Sequence, residues 1–175
     1  LKIRTTRGFF QVMRSEWKEN KRLPHFIGFV NTQGIAVSFL PFVILYGKEF
    51  LGAESSDTGN FLMYKVVGMV LVSLIVAIGA NRIRYRYLLY GNVLLSLAMA
   101  FVTLQSQSVS TLYYVFLIGG IIFSLYNITM NGVLLEVSGK ENRALYAGIS
   151  GAGNVLPVVF PLLGGWLIDV LGFNS

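Results

Sequence analysis

Five long apolar stretches, separated by short polar segments, dominate the pattern of hydrophobic and polar positions along the chain. Each is about 20 residues long, the length a helix needs to cross a hydrocarbon layer about 30 Å thick. Helices are expected because every backbone amide in lipid must find its partner inside its own segment. The pattern predicts an all-α, polytopic transmembrane helical bundle with spans at about 26–46, 61–80, 87–105, 112–135 and 144–168.

A closed β-barrel is the other architecture that satisfies every backbone group in a membrane. Barrel strands alternate apolar and polar residues over about ten positions. The segment VGMVLVSLIVAIGA at 67–80 is apolar without alternation, which favours a helix. The last span contains Pro157 and Pro161, and these two prolines predict breaks in its helix.

The composition agrees with a protein embedded in a bilayer. The chain is 54% hydrophobic and only 13% charged, with a mean hydropathy of +0.65, too few polar residues to cover a soluble domain. A net charge of +6 would suggest nucleic acid in a soluble protein. Here the basic residues are confined to a few short segments, so we expect a lipid bilayer and no nucleic acid as partner.

Lysine and arginine lie almost entirely in alternate connections between the spans. Twelve of the 14 precede the first span or lie in the connections from second to third and from fourth to fifth span. The opposite connections hold only Lys48, and Lys65 lies inside the second span. Because positive loops stay in the cytoplasm, we expect a cytoplasmic N-terminus and an external C-terminus. We expect the membrane to be a bacterial inner membrane, with a plasma membrane as the alternative.

The first 24 residues form a separate unit ahead of the five-span segment at 25–175. Phe9, Phe10, Met13 and Trp17 recur every three to four residues, with basic residues on the other faces. This spacing predicts a basic amphipathic helix on the inner leaflet that stops at Pro24. A plain polar linker is the alternative.

The residues that enzymes use are scarce. The chain has no cysteine and one histidine, His25, which lies at the membrane entrance. GISG at 148–151 resembles the serine motif of intramembrane proteases, but that chemistry needs a histidine deep in another helix. We therefore predict no enzymatic activity, no metal site and no cofactor.

Polar side chains at membrane depth are the best candidates for a functional site. Asn127 and Asn131 lie one turn apart in the fourth span and share a helix face, with Tyr126 adjoining them. Either hydrogen bonds between helices or a polar cavity would explain such residues. The predicted cavity residues are Asn31, Gln33, Lys65, Tyr126, Asn127 and Asn131.

Lys65 is the most informative of these residues. A lysine at the centre of a membrane helix costs about 2.5–3.5 kcal/mol on insertion scales. It lies four residues, about 6 Å along the helix axis, after Phe61, so its stem can reach the outer headgroups. The alternative is that it faces a water-filled path and attracts an anionic group of a substrate or another helix.

Three segments resemble the major facilitator superfamily of transporters. AIGANRIRYR at 77–86 is similar to the family's loop signature G-x-L-A-D-R-x-G-R-R. Asn81 takes the acidic position, Arg82 and Arg86 take basic ones, and Arg84 replaces the internal glycine. RALYAG, which begins at Arg143, and the glycine-rich PLLGGWLIDVLGF at 161–173 resemble the beginning and end of the family's eleventh helix.

The resemblance covers residues from Pro24 onward and corresponds to helices seven to eleven, with the final helix absent. It implies part of a secondary transporter that moves a small solute or ion by alternating access, with an N-terminal six-helix half of the same protein as partner. The substrate would bind near the midplane between the two halves. Family helices seven and ten, here the first and fourth spans, would line the cavity, and the loop-signature and gating residues would be Asn81, Arg82, Arg86 and Arg143. A polytopic receptor or assembly factor is the alternative.

Overall fold

A computed structural model describes residues 6–79, 83–138 and 143–172 of the chain. Within these ranges the chain forms eight α-helices and no strand. The helices are α1 (Thr6–Glu19), α2 (Arg22–Ser38), α3 (Leu40–Phe50), α4 (Ser55–Gly79), α5 (Tyr85–Leu104), α6 (Val109–Ser138), α7 (Arg143–Gly153) and α8 (Leu156–Leu171).

Five helical segments are long and apolar enough to cross a membrane, which confirms the predicted all-α bundle of five spans. The first span combines α2 and α3 as Arg22–Phe50, and the fifth combines α7 and α8 as Arg143–Leu171. The helices extend beyond the apolar stretches because polar residues cap or continue them. At the start of α4, for example, the Asp57 carboxylate accepts a hydrogen bond from the Glu54 backbone N–H at 2.9 Å.

The breaks in the spans differ from the sequence prediction in two respects. The first span also breaks, at Phe39 between α2 and α3. The fifth span breaks between Gly153 and Leu156, so Pro157 lies in the first turn of α8, where its N–H is not needed. The predicted break at Pro161 is wrong, because α8 continues through this residue. Pro161 has no backbone N–H to donate to the Pro157 carbonyl. This carbonyl instead accepts a hydrogen bond from the Ser38 hydroxyl at 3.3 Å.

The N-terminal segment forms a helix, but it ends at Glu19, before Pro24. Pro24 is the third residue of α2, where a missing N–H has no cost. Asn20, in the short connection, donates from its side-chain amide to the Val137 carbonyl at 3.0 Å and to the Tyr146 hydroxyl at 2.9 Å. The Tyr146 hydroxyl donates in turn to the Glu16 carboxylate, so α1 is tied to the ends of α6 and α7.

Helix α6 is the centre of the bundle, with α2, α3, α4, α5 and α7 packed around it. One apolar cluster joins α6 to α3 and α4, and there the Phe61 and Phe116 rings stack with centroids 4.7 Å apart. A second cluster lies toward the other end of the bundle and includes Leu23, Phe26 and Ile149. Burial of these side chains against α6 fixes which of its faces remain open.

The tightest contact in the bundle is the crossing of α4 and α6. A Cβ atom added to Gly120 would lie 2.0 Å from the Lys65 carbonyl oxygen, and one added to Gly68 would lie 2.2 Å from the Leu117 carbonyl oxygen. The two backbones therefore touch directly. Such an approach is the usual way in which small residues hold helices together in lipid, where the hydrophobic effect does not drive association.

We expect Gly120→Ala to destabilise the bundle by about 1–3 kcal/mol, because the new methyl group forces two backbones apart. The measurement is the thermal unfolding midpoint of the purified protein in detergent. Gly91→Ala is the matched control, since nothing lies within 4 Å of the added Cβ atom in α5. The control should be neutral or slightly stabilising because alanine is the better helix former. Equal losses in both variants would contradict a close crossing.

Candidate functional site

The candidate site begins with the face of α6 that the other described helices leave open. Helix α5 packs on one side of α6, where Tyr85 lies against Gly132, and α2 packs on another, through Tyr126. The open face carries Phe123, Asn127 and Asn131 at four-residue intervals, and its exposure increases toward Asn131. Together with Lys65 these three residues are called the open stripe.

The two asparagines of the open stripe use only part of their hydrogen-bonding capacity for bonds within α6. The Asn127 amide donates to the Phe123 carbonyl at 2.8 Å, and the Asn131 amide donates to the Asn127 carbonyl at 2.8 Å. A carboxamide has two N–H donors and an oxygen acceptor. Each side chain can therefore still donate to and accept from a polar ligand on the open face.

Lys65 reaches the open stripe from α4. Helices α4 and α6 run parallel, as the Phe61–Phe116 stack and the 2.7 Å contact between the Ser73 and Ser124 hydroxyls show. The Lys65 Nζ atom lies 4.9 Å from the centroid of the Phe123 ring. The ammonium group is therefore beside the stripe and does not extend back toward the Ser55 end of α4. Attraction between a cation and an aromatic face favours this position.

Asn31 has a different environment, because it joins α2 to the break between α7 and α8. Its amide donates to the Gly153 carbonyl at 2.6 Å and to the Ile27 carbonyl at 2.9 Å, and its oxygen accepts from the Leu156 backbone N–H at 2.8 Å. The side chain is 8% exposed. Asn31 thus pairs backbone groups that the helix break would otherwise leave unsatisfied.

Gln33 and Tyr126 also lie in contacts between helices. The Gln33 side-chain oxygen accepts from the Asn92 amide at 3.0 Å and from the Ser96 hydroxyl at 3.3 Å, which joins α2 to α5. The Tyr126 hydroxyl donates to the Val30 carbonyl at 3.5 Å. The structure therefore brings together three of the six predicted cavity residues, Lys65, Asn127 and Asn131, and places the other three in packed interfaces.

Phe123 was not among the predicted site residues, although the sequence contained a signal for it. It precedes Asn127 by four residues and therefore lies on the same helix face. The role of Asn92 as the partner of Gln33 had no such signal, because it depends on how α5 packs against α2.

Two of the four predicted loop residues, Asn81 and Arg82, lie outside the described residues. Arg86 is in the first turn of α5 and exposed, with its guanidinium 5.5 Å from the Tyr90 ring centroid. Arg143 is the exposed first residue of α7. Their gating role stays a prediction. Among the described residues no group of three or more histidine, aspartate or glutamate side chains is placed to hold a metal ion.

A comparison with protein families adds evidence from the whole chain. The family model of the Major Facilitator Superfamily matches residues 15–175, which include all five spans and part of α1. No curated protein and no solved structure matches the chain. The match confirms the resemblance carried by the loop motifs. With five apolar helices and a match over nearly its whole length, the chain belongs to the major facilitator superfamily of membrane transporters.

Proposed function

We propose that the chain is part of a secondary active transporter that binds a small solute at the open stripe. Members of this family are transporters and not enzymes. The observation that carries the proposal is the combination of Lys65, Asn127 and Asn131 on one partly exposed face. Exposing a charged group and two amides to lipid tails costs free energy, so we expect water or another part of the protein to face them.

The depth of the stripe supports this interpretation. Helix α6 extends from Val109 to Ser138, so Phe123 lies at its midpoint and Asn127 about 6 Å beyond it. Transporters built from repeated bundles bind substrate near the bilayer midplane, at the interface between the bundles. We propose that an N-terminal half of the same protein faces the stripe and that the two halves rock against each other.

The charges at the two ends of the bundle support an orientation in the membrane. The starts of α2, α5 and α7 lie at one end, called here the basic end, which carries Arg22, Arg86 and Arg143. Lys48 lies at the other end. We propose that the basic end faces the cytoplasm of a bacterium, as positive loops do. Arg86 and Arg143, with Asn81 and Arg82, would then help to close the cytoplasmic side.

The substrate role of Lys65 can be tested in the full-length protein. We expect Lys65→Met to lower the uptake of the transported solute at least tenfold. An ammonium group at this depth costs several kcal/mol unless it pairs with another group, and the proposed partner is the solute. Lys65→Arg should retain most of the uptake. Mass spectrometry of the solutes that expressing cells accumulate both identifies the transported solute and measures the effect of each substitution.

Lys48→Met is the control, since it removes the same charge at the end of α3. Undiminished uptake by Lys65→Met would exclude a substrate role for Lys65. If no solute level rises or falls relative to cells lacking the protein, the alternative of a receptor or assembly factor gains support.

The orientation has its own test, helped by the absence of cysteine from the sequence. A membrane-impermeant maleimide should label Gln107→Cys in intact cells, because this residue lies in the connection between α5 and α6 away from the basic end. Arg84→Cys should be labelled only after the cells are permeabilised. Labelling of both positions in intact cells would overturn the proposed sidedness.

A further inference from the structure

A second polar feature lies at the basic end, in a groove between α2, α5 and α6. Two adjoining clefts of about 520 Å³ and 620 Å³ share Leu89, Val133 and Glu136 in their walls. Basic side chains border the clefts on both sides, from the start of α2 and from the start of α5. They are Lys21, Arg22, Arg84 and Arg86, with His25 beside them. We call this feature the basic groove.

The basic groove changes from charged to apolar along the axis of the bundle. Arg22 is the first residue of α2 and Arg84 immediately precedes α5, so both lie at the helix ends. Phe29 lines the same cleft seven residues, about 10 Å, deeper than Arg22. Leu89 faces it from α5. A ligand that fits must therefore carry negative charge at one end and be apolar at the other.

The basic groove is separate from the open stripe. Glu136, which borders both clefts, follows Asn127 by nine residues. Nine residues are two and a half turns of an α-helix, so the two side chains project from opposite faces of α6. A solute bound at Asn127 would therefore not touch Glu136, and the groove is a second polar feature.

We propose that the basic groove binds the headgroup of an anionic phospholipid from the leaflet at the basic end, with one acyl chain along Phe29 and Leu89. The helix ends place the cations at headgroup level, where a lysine or arginine attracts anionic lipid. Basic pockets between membrane helices at the cytoplasmic side are suited to such headgroups.

The charge balance and the position both favour this occupant. Glu136 offsets one of the four lysine and arginine side chains and leaves a net positive groove for a phosphate. The contact with Tyr90 holds the Arg86 guanidinium near the groove. Less conformational entropy of this side chain is therefore lost when it binds a phosphate. The cations lie at the ends of α2 and α5, at the level where an anionic headgroup can reach them.

The test uses the purified full-length protein, stripped of lipid in detergent and titrated with phosphatidylglycerol. Thermal unfolding and native mass spectrometry report binding. Phosphatidylcholine and inorganic phosphate are the comparison ligands. We expect phosphatidylglycerol to raise the unfolding temperature and to remain bound as a discrete adduct, whereas the other two have little effect.

The double variant Arg22→Gln/Arg84→Gln removes one cation from each side of the groove. We expect it to weaken phosphatidylglycerol binding about thirtyfold, from about fivefold for each basic group. Arg14→Gln/Lys18→Gln removes the same charge from exposed positions of α1 that do not line the groove, and it should bind within about twofold of the unchanged protein. Arg22→Lys/Arg84→Lys keeps both charges and should retain most of the affinity. That result would show that the weaker binding of the glutamine variant is not caused by misfolding.

Each other outcome overturns the proposal. Equal weakening in both glutamine variants would mean general surface attraction and no groove site. Equal binding of phosphatidylcholine would exclude selection by charge. An equal response to inorganic phosphate would indicate a site for free anions, and the absence of any bound phosphatidylglycerol would indicate that another segment of the protein covers the groove.

Discussion

The architecture depends on the requirement that every backbone polar group within the membrane be paired by the protein itself. Continuous helices meet this requirement alone, but the first and fifth spans are each interrupted. Two side chains of α2 satisfy the interrupted backbone of the fifth span. Asn31 bonds to Gly153 and Leu156 on both sides of the break, and Ser38 bonds to the carbonyl that Pro161 leaves open. These bonds join α2 to α7 and α8 at a fixed depth.

A second constraint is the direct contact of α4 and α6 at Gly68 and Gly120. This contact fixes the parallel register of the two helices, and the aromatic stack and the serine pair follow from it. The same register brings the Lys65 stem alongside the Phe123 ring. The position of Lys65 is thus a consequence of where two backbones can touch, and the glycines contribute to the site without lining it.

The spans and the family could be predicted from the sequence because both depend on local signals. Hydropathy over about 20 residues identifies a span whatever its neighbours are. The roles of the polar residues could not be predicted in this way. Asn31 and Asn127 are the same residue type at similar depth, yet one closes a helix break and the other lies on an open face. The difference depends on which helix packs beside each residue, and no local pattern contains that information. Pro161 shows the same limit, because the carbonyl that it leaves open is satisfied by Ser38, which belongs to a helix far away in the sequence.

The position of α6 at the centre gives its two polar faces different surroundings. Asn127 of the open stripe and Glu136 of the basic groove project from opposite faces of α6, so the two proposed ligands would not share these side chains. The bonds from Asn20 to Val137 and Tyr146 add α1 to this element. A rocking movement of the bundle would therefore carry α1 with it. Separating α1 from the bundle would break the network that Tyr146 shares with Glu16 and Asn20.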